Sequence, residues 1–511
     1  MGIVEDIQKQ VADRVKQEGE PPPSEATPII TSRFISDCLK ANELGDAQLY
    51  IALNQGKRLY NQTSTEWMCW TGNHWDIDRG SADAMAAMEG VVFEYLKEAH
   101  NLVDIIAKEV DSETKKKLID RQKKIYRRVE RLRSIHGSNN CLTFTTRCHD
   151  RMVVNSDDFD RDPWALPLKN GVVDLRTGEL IPGKPESLLY KACPNDWTGI
   201  ETPCPIWEQA VLDIMAGSQE MSDFLRRLLG YSITGLTTEH ILPVFYGKGR
   251  NGKSLIVETV REVMGPLAAP IRSEMLLDQS FMKSSSGPSP DIMALKGLRI
   301  AFANETDAGR RISPSQVKLL TGGDSLVGRN PHDKYETRFS PTHSLFLLTN
   351  NKPHAPADEY ALWKRLLLIP FPISFVDTPV EDDERPIDKE LPDKLKPEAS
   401  GILAWLVRGC LEWQQGGIEL PSLVRDATGG YRRDEDPILD FVDEKCEQSP
   451  EYRISSADLY DAFKDWYAVN VSKKYVMSHK VFSTSMKLKF KSAKISCVYF
   501  YGLRLIDPPG S

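Results

Sequence analysis

The residues from Gly247 to Ser254, GKGRNGKS, constrain this chain more than any other stretch, because they fit the pattern G-x-x-x-x-G-K-[ST]. An apolar run, Ile241 to Phe245, leads into them, and Ser254 to Val263 leaves with Leu255, Val257, Val260 and Val263 at helical spacing. The reading is strand, loop, helix. Such a loop closes backbone N–H groups around phosphate oxygens at a helix N-terminus, where the helix dipole also favours an anion. Lys253 is expected on the β- and γ-phosphates of ATP and Ser254 on Mg²⁺, with Gly247, Lys248, Gly249, Arg250, Asn251 and Gly252 completing the cradle.

A chain of 511 residues exceeds what one core supports, and an apolar share of 41% is ample for several. The longest apolar run, Leu366 to Phe375, is broken by Pro370 and Pro372 and falls short of the roughly 18 residues a membrane span needs, so no membrane partner is expected. The N-terminus, MGIVEDIQKQ, has acids where a signal peptide needs bases and Asp6 where a myristoylation motif needs Ser or Thr. A cytoplasmic location, in a host cell if the chain is phage-encoded, is the expectation. Nine cysteines without a C-x-x-C pair argue against a disulfide framework and a zinc ribbon.

The net charge of −8 excludes any argument for a nucleic-acid partner from the whole chain, so the placement of positive charge must carry it. Residues 115–133 hold ten Lys or Arg against Asp120 and Glu130, and residues 466–506 hold eight with no acid and with interleaved aromatics. A solvated helix face is the bland account of either cluster.

In chain order, Ile3, Ile7, Val11 and Val15 predict a helix, ended by the stiff PPPSEATP, so that 1–31 reads as a helix and linker. Residues 32–150 read as a mixed and helical region: a Trp-rich, hairpin-bearing piece to about Arg79, then long helices over 82–135 carrying the first basic cluster. Asp76 and Asp78 form a D-x-D, read as a strand-end turn rather than a metal site. Residues 151–235 include PLKNGVVDLRTGEL, with strands hinged at Asn170-Gly171 and Thr177-Gly178, and a helical stretch from Trp207 to Tyr231. In 236–375, after the loop, GLRIAFA predicts a strand ending at Asn304, Glu305, Thr306 and Asp307, and a carboxylate there, Glu305, would orient water and hold the Mg²⁺ shell. A strand over Ser344–Thr349 ends in Asn350, a polar tip for the γ-phosphate, and another over Leu366–Ile369 follows Arg365. Between them a hairpin is expected with a polar tip bearing His332 and Lys334. Residues 376–435 read as an acidic linker (Asp377–Glu390) and a helical lid (Gly401–Gln415). Residues 436–511 read as three helices and two strands, a winged helix for double-stranded DNA with His479, Lys480, Ser483 and Lys487 as contacts.

With these residues on the page, the chain resembles the superfamily III helicases, in particular the phage and plasmid primase-helicase family that includes the poxvirus primase-helicase. The matching text is GKGRNGKS for Walker A, IAFANETDAG for Walker B, KLLTGGDSLVGR for B-prime, LFLLTNNKPH for motif C and WKRLLLIPF for the arginine-finger segment, with LPLKNGVVDLRTGEL upstream. The resemblance covers about 160–375, and more weakly from 40. It implies an AAA+ α/β core with a parallel sheet, a mainly helical N-terminal helicase-associated region, and a homo-hexameric ring that hydrolyses ATP to move along single-stranded DNA. It implies Glu305 as the Walker B acid, Asn350 as sensor 1, Arg365 as a finger reaching a neighbouring subunit, and His332 and Lys334 in the central channel. Asn304 before Glu305 and Lys364 before Arg365 depart from the family's paired acids and arginine doublet. No primase sequence precedes the helicase-associated region, so a helicase served by a separate primase or polymerase is expected. The rival expectation is an ATP-gated origin-binding initiator that does not unwind.

Overall fold

The computed structural model describes residues 30–148, 151–278, 287–305, 309–331, 333, 336–470, 476–494 and 497–506. The helix expected over 3–18, and His332 and Lys334, lie outside these residues. The chain divides into two compact units, one of residues up to 197 with 335–339, the other of 198–334 with 340–511.

In the first unit, α1 (Ser32–Lys40) begins where the Thr31 hydroxyl accepts from the Phe34 amide, and α2 (Glu43–Asn54) follows. Both stand where mixed text suggested a hairpin piece. In α2, Ala47, Leu49, Tyr50 and Ile51 are all buried, so no one-sided apolar period marks it. The hairpin comes next: β1 (Arg58–Asn61), β2 (Glu66–Trp70) and β3 (Trp75–Asp76) are antiparallel, with Trp70 opposite Trp75 across the Thr71–His74 turn. The Asp78 amide donates to Asp76 Oδ1 at 2.9 Å, the expected strand-end turn. Helices α3 (Gly80–Ala86), α4 (Met88–Lys108), α5 (Ser112–Leu132) and α6 (Ile135–Arg147) are the long helical run. Val91, Tyr95, Ala99 and Leu102 of α4 share a core with Ile125, Val129 and Leu132 of α5. Strand β4 (Val153–Val154) joins β1 in parallel, and β5 (Ala165–Leu168), β6 (Gly171–Asp174) and β7 (Glu179–Ile181) form a meander turning at both predicted Gly positions.

The second unit opens with α7 (Pro205–Ile214) and α8 (Gln219–Ser232), then β8 (Leu242–Tyr246), α9 (Lys253–Met264) and β9 (Ala268–Arg272). After α10 (Pro290–Met293) come β10 (Ile300–Glu305), α11 (Pro314–Thr321), β11 (Leu326–Gly328), β12 (Thr337–Phe339, grouped with the first unit), β13 (Ser344–Thr349), α12 (Tyr360–Trp363) and β14 (Leu366–Pro370). Five of these strands make an all-parallel sheet in the order β14-β8-β13-β10-β9. A parallel sheet covered on both faces needs nearly continuous apolar strands, which LPVFY, SLFLLT and LLLIP supply. Pro270 hides β9 from a sequence reading; β9 is an edge strand, where a missing N–H costs no ladder bond.

Within the expected acidic linker (Asp377–Glu390), β16 (Glu384–Pro386) pairs in parallel with β15 (Ser374–Val376) just before it, and α13 (Leu391–Leu395) follows. The expected amphipathic lid is α14 (Ala399–Gly416), in which every residue from Gly401 to Val407 is buried: a core helix rather than a one-sided cover. It crosses α8 at two glycines. A Cβ on Gly230 would lie 2.2 Å from the Cys410 amide nitrogen, and one on Gly409 2.0 Å from the Arg226 carbonyl oxygen. Helix α15 (Ser422–Asp434), masked in the sequence by Gly429-Gly430, lies along β14, where Thr428 Oγ1 accepts from the Leu368 amide at 3.0 Å.

The tail runs α16 (Pro437–Lys445), β17 (Cys446–Ser455), α17 (Ser456–Asn470), α18 (His479–Lys489), β18 (Ser492–Lys494) and β19 (Val498–Leu505) around Phe441, Phe463, Phe482 and Phe500. The three helices and closing strand pair are as predicted, with Ser455 and Asp458 bonded to each other at the start of α17. The unpredicted β17 is mostly exposed, contains Pro450, and shifts register between Gln448 and Arg453 against β19.

The crossing glycines make a test with opposite signs. Gly409→Ala should lower stability by about 1–3 kcal/mol through overpacking. Gly429→Ala, with nothing near its added methyl, should raise it by up to about 1 kcal/mol through helix propensity. Urea midpoints of the two variants moving in the same direction would contradict the close crossing.

Candidate phosphate-binding site

Register places the candidate residues before any side chain is considered. Tyr246, the last residue of β8, lies opposite Thr349 of β13, and Thr349 lies opposite Glu305, the last residue of β10. Neighbouring strands are about 4.8 Å apart, so the start of the loop, the Asn350 tip and Glu305 share the carboxyl edge of the sheet, where parallel α/β sheets hold their ligands.

Two glycines shape the loop between β8 and α9. A Cβ on Gly247 would lie 2.3 Å from Asn251 Nδ2 and 2.5 Å from the Phe371 carbonyl oxygen, and Gly252 has φ +82° with Ile214 2.5 Å from where its Cβ would be. Only glycine fits either place. Past them the chain enters α9 at Lys253, whose side chain folds back under the loop. Its Nζ donates to the Gly247 carbonyl at 2.7 Å, to Asn251 Oδ1 at 3.0 Å and to Asn350 Oδ1 at 3.0 Å.

That arrangement is electrostatically incomplete. Lys253 is only 6% exposed, and its three partners are neutral oxygens, so burial pushes its pKa from 10.5 down to about 8. An ammonium held without a carboxylate is stabilised by any anion brought to it, and the open side of the loop faces solvent: Lys248, Gly249, Arg250 and Ser254 are all exposed. The residues present therefore fit a phosphate. Asn251 is buried and orients the lysine, a role its variable position in the motif pattern gave no means of reading.

Lys253, Asn251, Asn350 and, by register, Glu305 come together with the rest of the loop; Arg365 and the tail residues do not join them, and His332 and Lys334 lie outside the described residues. Arg365 precedes β14, whose Leu366 pairs with Leu242 and Pro370 with Tyr246, so it stands at the opposite edge of the sheet from the loop, about 16 Å away along the strand. Its Nη1 donates to the Ala361 carbonyl at 2.9 Å, and its buried Nε has no partner among the described residues. In the tail, His479 Nε2 is 3.0 Å from Ser456 Oγ and 3.1 Å from the Ser456 carbonyl oxygen, which commits that nitrogen within the fold. Lys480 and Lys487 are exposed on α18. Of the eight tail cations, Lys489 pairs with Asp436 and Arg504 with Glu447. All nine cysteines are free, and no described helix is long and apolar enough to cross a membrane.

A parallel α/β sheet carrying a phosphate loop is the class this geometry defines. Residues 47–216 match the family described as D5 N terminal like. A protein of Acanthamoeba polyphaga mimivirus with helicase in its name is 26% identical over 331 residues, covering 62% of this chain and 34% of that one. The uncoating factor of vaccinia virus is 25% identical over 241 residues, covering 44% of this chain and 30% of that one. Among solved structures, the apo C-terminal region of NrS-1 superposes with a TM-score of 0.45 at 12% identity, over 90% of this chain and 99% of that one. In these matches the chain is similar to D5-like primase-helicases. It spans about a third of the length of these curated relatives.

The buried lysine has a signature that needs no ligand. Its folded pKa lies below its unfolded one, so between about pH 8 and 10.5 the unfolded chain binds the extra proton and stability rises with pH. From pH 7 to about pH 9.5 the gain should be about 2 kcal/mol at most. Lys253→Met should remove that gain, and urea titrations of both proteins at the two pH values would refute the neutral cage if the difference between them stayed constant.

Proposed function

We propose that this chain is an ATP-hydrolysing DNA helicase acting in replication of a virus or other mobile element, as an AAA+ homo-hexamer on DNA. The observation that carries the reading is Lys253 in a cage of neutral oxygens that includes Asn350, with Glu305 one strand further along the same edge. Two further features support it: the parallel order β14-β8-β13-β10-β9, in which the loop strand sits inside the sheet, and the helicase naming of the mimivirus relative.

In this reading the phosphates of ATP take the Lys253 ammonium from its carbonyl partners, and the lysine neutralises charge on the β- and γ-oxygens. Asn350, released from Lys253, turns its amide towards the γ-phosphate or the water beside it. Glu305 orients that water and accepts its proton. Ser254, exposed on the first turn of α9, and Glu305 would hold Mg²⁺, which would neutralise phosphate charge when bound. Arg365, far from the Lys253 of its own chain, serves the site of the next subunit, where a planar, permanent cation can meet the γ-phosphate. His332 and Lys334 contact DNA in the channel. The tail acts as a winged helix on duplex DNA through Lys480 and Lys487, with Lys491 and Lys494 exposed on the same domain. A separate primase or polymerase works alongside.

Lys253→Ala should abolish ATP binding. Glu305→Gln should bind ATP but turn it over orders of magnitude more slowly. Arg365→Ala should bind and not hydrolyse. Mixing the Lys253→Ala and Arg365→Ala chains should restore part of the ATPase, because some interfaces then pair two intact residues. If native mass spectrometry shows mixed rings and no activity returns, Arg365 does not act in trans.

For the tail, Lys480→Ala with Lys487→Ala should weaken duplex binding and lower the salt slope by about 2, since each lost phosphate contact removes about 0.9. Forked-substrate unwinding then separates the motor from the rival: ATP-dependent duplex binding without strand separation would make the chain an origin-binding switch.

A further inference from the structure

The first unit has a second cationic feature, which neither the phosphate loop nor the tail uses. Along α5, Lys117, Arg121, Lys124, Arg128 and Arg131 recur every three or four residues and so form one stripe. With Arg127 of the same helix, Ser36, Leu39 and Lys40 of α1, and Asn42, they line a groove of about 850 Å³ in which Asp120 is the one acidic lining residue among the described residues. The stripe is about 21 Å long at 1.5 Å per residue.

Lys40 and Lys117 pair with the exposed Asp37 and Glu113; the other cations that line the groove are of two kinds. Arg121, Arg128 and Arg131 are held from behind. Arg128 donates to Asp46 Oδ2 at 3.0 Å and Asn42 Oδ1 at 2.7 Å, while Tyr95 donates to the other Asp46 oxygen at 2.8 Å. Arg121 bonds Glu98 and the Ser32 carbonyl, and Arg131 bonds Glu43. Asp46 and Glu98 are 2% and 5% exposed. Buried ion pairs of this kind seldom stabilise a fold more than apolar residues would, because desolvation offsets the attraction. What they give is guanidinium groups fixed in place, each with N–H donors left over; Arg121 Nε finds no partner among the described residues. The second kind is free: Lys124 and Arg127 are exposed and have no carboxylate partner among the described residues.

We propose that this groove binds the phosphate backbone of a single nucleic-acid strand. A single extended strand can follow the stripe with successive phosphates over the exposed cations, whereas a rigid duplex would present only one backbone to it. Among the described residues no aromatic side chain lines the groove, so bases gain no stacking platform there and binding is indifferent to sequence. The choice of a nucleic acid over another polyanion rests on the reading of the chain as a DNA motor; the site itself needs neither ATP nor ring assembly.

The test uses the full chain without nucleotide, with fluorescein-labelled oligothymidylate and oligoadenylate of about 12 residues and a duplex of the same length. Lys124→Ala with Arg127→Ala should leave the thermal midpoint unchanged, since neither side chain is buried or paired. It should weaken both single strands tenfold or more at low salt and reduce the slope of log affinity against log salt by about 1.4, at about 0.7 for each phosphate contact. The same loss is expected in the Lys253→Ala background, so failure of the ATPase reading leaves this measurement intact. Unchanged single-strand affinity and slope overturn the proposal and point to an acidic protein partner. A loss confined to the duplex, or to one base composition, overturns it as well.

Discussion

The second unit depends on one buried positive charge. Lys253 could sit in water at little cost, yet the loop folds its ammonium beneath the backbone, against oxygens that carry no net charge. Each of these oxygens comes from a different constraint. Gly247 offers its carbonyl because no side chain crowds Phe371; Asn251 is fixed by burial; Asn350 arrives at the tip of the neighbouring strand. The sheet order is therefore a requirement of the site: only with β13 beside β8 does the Asn350 amide reach the lysine. An unfilled electrostatic demand, built where three elements converge, is stored affinity for an anion, and its cost is visible in the depressed pKa of the lysine.

Sequence reading reached this site because its ingredients are local. Strand, glycine loop and helix are contiguous, and β10, β13 and β14 announce themselves by apolar runs ending in polar residues. What failed was of three physical kinds. Pro270 in β9 and Pro450 in β17 oppose strand assignment, and both strands exist because pairing partners far along the chain, β10 and β19, supply what the local text does not. Helices α2 and α14 lose their amphipathic signal because they are buried nearly all round. Helix α15 carries adjacent glycines that lower its propensity, and packing on β14 overrides this. Within the site, the part played by Asn251 was illegible for a further reason: the motif pattern leaves its position free, and only the folded loop shows that its side chain reaches the ammonium.

Charge is handled differently in the two units, and the difference says what each arrangement can do. Lys253 is left with neutral partners, so it stays responsive to whatever anion arrives and must exchange partners when one does. Arg128 is paired with a buried carboxylate and an amide, so its charge is already compensated and its position cannot drift. The first suits an anion that binds and leaves; the second suits a surface that presents donors at fixed spacing. A net charge of −8 conceals both, since acids such as Asp46 and Glu98 lie beneath the very cations they orient. The balance of charge over a whole chain therefore says little about where a polyanion can sit, and the depth at which the compensating carboxylates are buried says much more.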